Sequence, residues 1–198
     1  MTRTSVYSAA LVAFVAATVM TIASIIMPNW VSMQWTTDYG NTLHDRIGLY
    51  QRCKSTGTLE RCDPFPESLR YLASGHDRLW RTAELTMTLA AVIELASVVA
   101  FMVILAGGKA RREKGWRVLG GLLAVVALLQ LFALALVTYV FDYDDFFLVP
   151  GYRLDSPVFL VLFSVCIGFL SAFGLAVSAF VLPPEEGYVR LLDHCSKV

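Results

Sequence analysis

The stretch IGLYQRCKSTGTLERCDPFP, residues 47–66, decides how the rest of the chain is read. It holds two of the four cysteines, Cys53 and Cys62, with Ser55, Thr56, Gly57 and Thr58 between them. Small hydroxyl residues around a glycine favour a tight chain reversal, so the stretch reads as a hairpin with one cysteine on each strand. No cysteine stands in a CxxC or Cys/His metal spacing, and whether the pair is bonded depends on the compartment the hairpin occupies.

The flanking sequence settles the compartment. A spanning helix needs about twenty mostly apolar residues, because each adds about 1.5 Å of rise across a hydrocarbon core of about 30 Å. Residues 7–27, 81–106, 118–140 and 158–182 meet that requirement. The first carries no charge and stops at Pro28; it is too long, and too poor in preceding basic residues, for a cleaved signal peptide. Ser156 is placed to cap the fourth, Pro157 suits its first turn, and Pro183 and Pro184 end it. The chain is 57% hydrophobic, and its sixteen basic residues balance sixteen acidic ones. No net field recruits nucleic acid, and no nucleic-acid partner is expected.

The link 107–117 packs Lys109, Arg111, Arg112, Lys114 and Arg117 into a short loop, and such loops stay on the cytosolic side. That orientation puts both chain ends and the tail 183–198 in the cytosol, and the loops 28–80 and 141–156 outside the plasma membrane. Cys53 and Cys62 then lie together on the oxidising side, and a disulfide closing a ring of about ten residues is expected to contribute about 2.7 kcal/mol. Val31, Met33 and Trp35 alternate with polar residues, and Ile47, Leu49 and Gln51 alternate with Gly48, Tyr50 and Arg52, the period of two of half-buried strands. The expected fold is an all-α membrane protein, one domain over 1–198, in which a four-helix transmembrane bundle carries a small disulfide-braced extracellular antiparallel β-sheet.

Trp30, Gly48, Leu49, Tyr50, Cys53 and Cys62 together resemble the tryptophan, Gly-Leu-Trp, cysteine, cysteine signature of the claudin and peripheral myelin protein superfamily. Arg81 resembles a basic residue that this superfamily often carries at the start of its second span. Tyr50 stands where the superfamily usually has tryptophan, and the second outer loop is short; both departures argue against junction-strand assembly like that of vertebrate claudins. The run Cys62, Asp63, Pro64, Phe65, Pro66 looks closer to fungal members. The resemblance implies a claudin-like fold and a role in adhesion, membrane-domain organisation or as an auxiliary subunit.

Glu94 lies well inside the second apolar segment, where a charge costs roughly 3 kcal/mol, so it needs a partner. Spans two and three run antiparallel and their link is centred near residue 112, so Glu94 and Gln130 share a depth; a protonated Glu94 is expected to hydrogen-bond Gln130. Small residues recur every four positions at Ala9, Ala13, Ala17 and Thr21 and at Ser164, Gly168, Ala172 and Ala176. Such spacing predicts close packing of spans one and four, or a self-association face. Trp30, Trp35, Trp80, Phe141, Tyr143, Phe146, Phe147 and Tyr152 predict an aromatic belt at the outer interface, with Trp116 anchoring the inner one. Phe146 and Phe147 alternatively form an apolar tip that contacts a partner.

Templates for membrane enzymes find no footing. His44, His76 and His194 are isolated, with His194 on the opposite side of the proposed membrane, and Gly107 with Gly108 is better read as a helix end than as a phosphate loop. No catalytic residue, metal or cofactor is expected. Ser196 and Val198 fit the chain ending that PDZ domains capture, Cys195 is placed for palmitoylation, and Cys166 is an apolar filler. The function expected is that of a non-enzymatic tetraspan. Its partners would be the lipid bilayer, other membrane proteins met through the outer loops, further copies of itself and a cytosolic PDZ protein. The alternative is an ion path in which Glu94 or the acidic loop at Asp142, Asp144, Asp145 and Asp155 selects cations.

Overall fold

The computed structural model describes residues 3–36, 42–56, 59–65, 76–107, 109–144, 147 and 151–181. Four helices, α1 (Arg3–Ile26), α2 (His76–Ala106), α3 (Lys109–Tyr143) and α4 (Ser156–Val181), each contain a segment long and apolar enough to cross a membrane. α1 packs on α4, α4 on α3 and α3 on α2, with a lighter contact between α1 and α2. Two boundaries differ from the sequence reading. α3 begins at Lys109, inside the basic stretch read as loop 107–117, because Ala110, Arg111, Arg112 and Lys114 are strong helix formers. α2 begins at His76, five residues before the proposed span, and this extension carries Trp80 to the sheet.

Five antiparallel strands sit at one end of the bundle: β1 (Val31–Thr36), β2 (Thr42–Ile47), β3 (Gln51–Thr56), β4 (Leu59–Pro64) and β5 (Tyr152–Leu154), in the order β4-β3-β2-β1-β5. β5 comes from the segment before α4 and pairs with β1, so both loops of this end share one sheet. In the β3–β4 hairpin Cys53 lies directly opposite Cys62 and the two are bonded. Replacing both cysteines by serine is expected to lower the unfolding free energy by about 2.7 kcal/mol, read as a lower denaturation midpoint for the sheet, with the helical circular dichroism retained.

The strand expected through residues 47–52 is broken. Gly48 N–H donates to the Gln51 carbonyl at 2.8 Å and closes a turn between β2 and β3. A Cβ on Gly48 would lie 2.7 Å from Pro28 Cα and 3.1 Å from the Met27 carbonyl oxygen, and backbone on both sides leaves it nowhere to go. The turn drops Leu49 out of the alternation and into the core, where it is fully buried. Two apolar clusters result. One joins Trp30, Ile47, Leu49, Phe65 and Trp80 to the sheet end of the bundle, and the other joins Tyr7, Phe14, Phe101, Leu119, Leu123 and Leu175 at the opposite end.

Candidate functional site

At the sheet end, aromatic side chains lock the strands to the helices. The fully buried Trp30 indole donates to the Ser24 carbonyl at 2.7 Å, and the Trp80 indole donates to the Leu49 carbonyl at 3.2 Å. Trp80 meets Phe65 edge-on at 5.3 Å and stacks on Phe147 at 6.1 Å, and Phe147 in turn packs against Tyr152 at 5.6 Å. The Tyr50 hydroxyl bonds to that of Thr88. These placements revise the aromatic reading. Trp30, Trp80 and Phe147 are core residues, 0%, 2% and 6% exposed, so Phe147 is no partner-contacting tip; Phe146 lies outside the described residues. Each ring is buried because the sheet covers the helix ends, which a reading in terms of a bare lipid interface leaves out. Trp35 and Tyr143 remain exposed, as does Arg81 on α2. At the far end Trp116 packs on Phe180, with the Arg117 guanidinium over its ring.

A buried ion pair completes the join. Arg52 grips both carboxylate oxygens of Asp45, through Nε at 2.9 Å and through Nη2, and the Tyr152 hydroxyl donates to Asp45 at 3.1 Å. Asp45 stands opposite Lys54 across β2 and β3, so Arg52 is its diagonal neighbour on the same face of the sheet. Burial by itself would lower the Arg52 pKa, but the bond and charge of Asp45, with Tyr152, outweigh it and raise it. Burial, then the Asp45 charge, push the Tyr152 hydroxyl up to about 12, against a smaller opposing effect of Arg52. A raised tyrosine pKa means that the folded state holds its proton where the unfolded chain has lost it. The stabilisation is therefore complete below about pH 10 and is lost as pH rises through about 12. Absorbance titration is expected to show one tyrosine ionising late, near the alkaline unfolding step, and Tyr152→Phe should remove it. The sequence reading put Tyr152 in an aromatic belt and missed this triad; the alternating Asp45 and Arg52, two residues off register, were the available signal.

Between the two apolar clusters lies a polar layer drawn from all four helices. Gln130 Nε2 donates to Glu94 Oε1 at 2.8 Å and to Thr21 Oγ1 at 2.8 Å, and lies 3.3 Å from Ser164 Oγ. The Thr21 hydroxyl is 3.1 Å from Glu94 Oε1 and 2.9 Å from Ser164 Oγ, and the Ser164 hydroxyl donates to the Ala17 carbonyl at 3.2 Å. All four side chains are buried, and Glu94 Oε2 has no hydrogen-bond partner among the described residues. Glu94 and Gln130 thus meet at the depth their positions imply; Thr21 and Ser164 join them from the two stripes of small residues.

The stripes meet directly in their sheet-side halves, where the Ser164 hydroxyl bonds to the Ala17 carbonyl and lies against the Thr21 hydroxyl. A Cβ on Gly168 would meet nothing within 4 Å, so no close backbone approach requires glycine there. Farther from the sheet a groove of about 450 Å³ between α1 and α4 is lined by Ser5, Ala9, Ala13, Leu170, Ser171 and Gly174. Ser196, Val198 and Cys195 lie outside the described residues.

A family model described as Lipoma HMGIC fusion partner-like protein matches residues 7–182, which take in the described helices and the whole sheet but for the first residues of α1. No curated protein matches the chain. The family match overturns the resemblance to claudins and peripheral myelin proteins, fungal members included. The residues that carried that resemblance, Trp30, Gly48, Leu49, Tyr50, Cys53 and Cys62, bury rings, close a turn and brace a hairpin. Their placement answers to how the sheet seats on the helix ends of this chain.

Proposed function

The chain belongs to the lipoma HMGIC fusion partner-like family of tetraspan membrane proteins, and from that we propose that it is a non-enzymatic plasma-membrane protein whose outward-facing sheet holds a neighbouring membrane protein. Both chain ends lie in the cytosol, and the role is one of adhesion, membrane-domain organisation or service as an accessory subunit. The observation that carries this reading is the fusion of two separate loops into one braced platform. β5 is hydrogen-bonded to β1, Tyr152 to Asp45, and Phe147 is wedged against Trp80. A surface ordered before binding avoids the entropy of ordering on contact, which suits it to holding a partner. Trp35, 59% exposed on β1, is a large aromatic that this platform presents, and tryptophan is enriched among residues that dominate binding energy.

A photo-crosslinking amino acid at position 35, activated on intact cells and followed by mass spectrometry, tests the proposal. Discrete adducts with one or a few membrane proteins, weakened when a crosslinker at a neighbouring strand position is combined with Trp35→Ala, are expected. Adducts with lipid and solvent alone would sink it. A second reading, an ion path through the bundle or through several copies, is favoured by the polar layer at Glu94. Voltage clamp of cells expressing the chain alone separates the two, since the accessory reading expects no new conductance. Capture of a second copy along the α1–α4 groove and of a PDZ domain by the chain end belong to the same proposal. Co-purification of differently tagged copies, and of partners with and without the last three residues, tests them.

A further inference from the structure

We propose that the polar layer formed by Thr21, Glu94, Gln130 and Ser164 is a binding site for one small monovalent cation, sodium, held in competition with a proton. The argument starts from charge. Glu94 is fully buried, and the groups that face it from the other helices are Thr21 of α1, Gln130 of α3 and Ser164 of α4, none of which titrates or carries charge. Ser97, the buried hydroxyl one turn away on α2, bonds instead to the Ile93 carbonyl. A carboxylate in such surroundings needs a positive counterpart, and among the described residues no arginine, lysine or histidine supplies one there. One negative charge is balanced by one positive charge, whereas a divalent ion would leave the excess buried.

The donor set points the same way. The carboxylate of Glu94, the hydroxyls of Thr21 and Ser164 and the carbonyl of Ala17 are hard oxygen ligands, and no sulfur or imidazole stands among them, which disfavours transition metals. The side-chain amide of Gln130 adds a further oxygen when its two ends exchange, a rotation that keeps the group in place. Protons are scarce in the layer. Each hydroxyl has one, yet the Thr21 hydroxyl has three acceptors within 3.2 Å, namely Ala17 O, Glu94 Oε1 and Ser164 Oγ. Glu94 Oε2 has no partner among the described residues, although it is shut off from solvent. The candidate oxygen ligands of Thr21, Ser164 and Ala17 stand 2.9 to 3.2 Å from one another, a spacing that suits a small ion better than a large one. The layer ties all four helices together, so an ion there would stabilise the bundle. That role needs no conduction and stands apart from both readings above.

The test is thermal unfolding of the purified full chain in detergent, with sodium chloride exchanged for choline chloride at constant ionic strength in mildly alkaline buffer. A melting temperature that rises with sodium and saturates is expected, because a ligand that binds only the folded state stabilises it in proportion to its occupancy. The half-saturating sodium concentration should increase by about tenfold for each unit by which pH is lowered over the range in which the proton competes. Glu94→Gln should abolish the response, and Thr21→Val or Ser164→Ala should raise the half-saturating concentration by about tenfold, the latter two keeping the test open if Glu94→Gln does not fold. A melting temperature indifferent to the choice between sodium and choline overturns the proposal, as does a sodium response that survives unchanged in all three variants.

Discussion

Arg52→Leu is expected to loosen β3 from β2 and to destabilise the platform by about 3–5 kcal/mol, because breaking one side of a buried ion pair strands the other charge. Asp45 is 6% exposed and, without the guanidinium, keeps only the Tyr152 hydroxyl among the bonds described above. Arg52→Lys should recover only part of the loss, since a single ammonium cannot match the two-pronged grip on both oxygens. The informative comparison is the double replacement Asp45→Leu with Arg52→Leu. Removing both charges is expected to cost less than removing Arg52 alone, for the stranded carboxylate is the main penalty. Hydrogen exchange of β2, β3 and β5 is the direct readout, with protection lost in the single variant and largely regained in the double. Equal protection in wild type and Arg52→Leu would show that the ion pair does not hold the sheet together.

Trp80→Ala is expected to be as damaging by a different route. The indole fills the junction between α2, the β2–β3 turn and the β5 loop, touching Phe65 and Phe147 and donating to the Leu49 carbonyl. Deleting a buried tryptophan costs about 3–5 kcal/mol through lost transfer energy and the cavity left behind. The bereft Leu49 carbonyl adds about 1–3 kcal/mol unless water reaches it. Trp80→Phe separates the two contributions by restoring most of the volume without the N–H. Near-ultraviolet circular dichroism and limited proteolysis of the sheet should register Trp80→Ala strongly and Trp80→Phe mildly. An unaltered proteolysis pattern in Trp80→Ala would mean that the sheet stands without its helix anchor.

These two residues mark where the sequence was legible and where it was not. Helices long enough to span follow from uninterrupted apolar runs, a local property, and the Cys53 to Cys62 hairpin follows from its own turn residues. The Glu94 to Gln130 contact is nearly as local, because two antiparallel helices joined by a short link share a simple depth relation. Thr21 and Ser164 lie on helices whose chain separation offers no such relation, so they appeared only as members of small-residue stripes. Trp80, Trp30 and Phe147 have the composition of an interfacial belt, and only the sheet folding back over the helix ends turns them into core. Asp45 and Arg52 meet across the local β2–β3 pairing, but Tyr152 reaches them because β5 pairs with β1, a long-range event that a three-residue strand in an acidic, aromatic loop does not announce. The family likewise could not be read from the motif, whose residues serve burial, a tight turn and a disulfide, requirements that do not name one family.

The account rests on the sheet lying across the membrane from both chain ends, and accessibility in intact cells tests that most directly. An epitope inserted between Gly57 and Thr58 should be reached by antibody on unbroken cells, while epitopes at the two chain ends should be reached only after the membrane is permeabilised. A chain-end epitope labelled on unbroken cells, or a hairpin epitope hidden until they are opened, would contradict it.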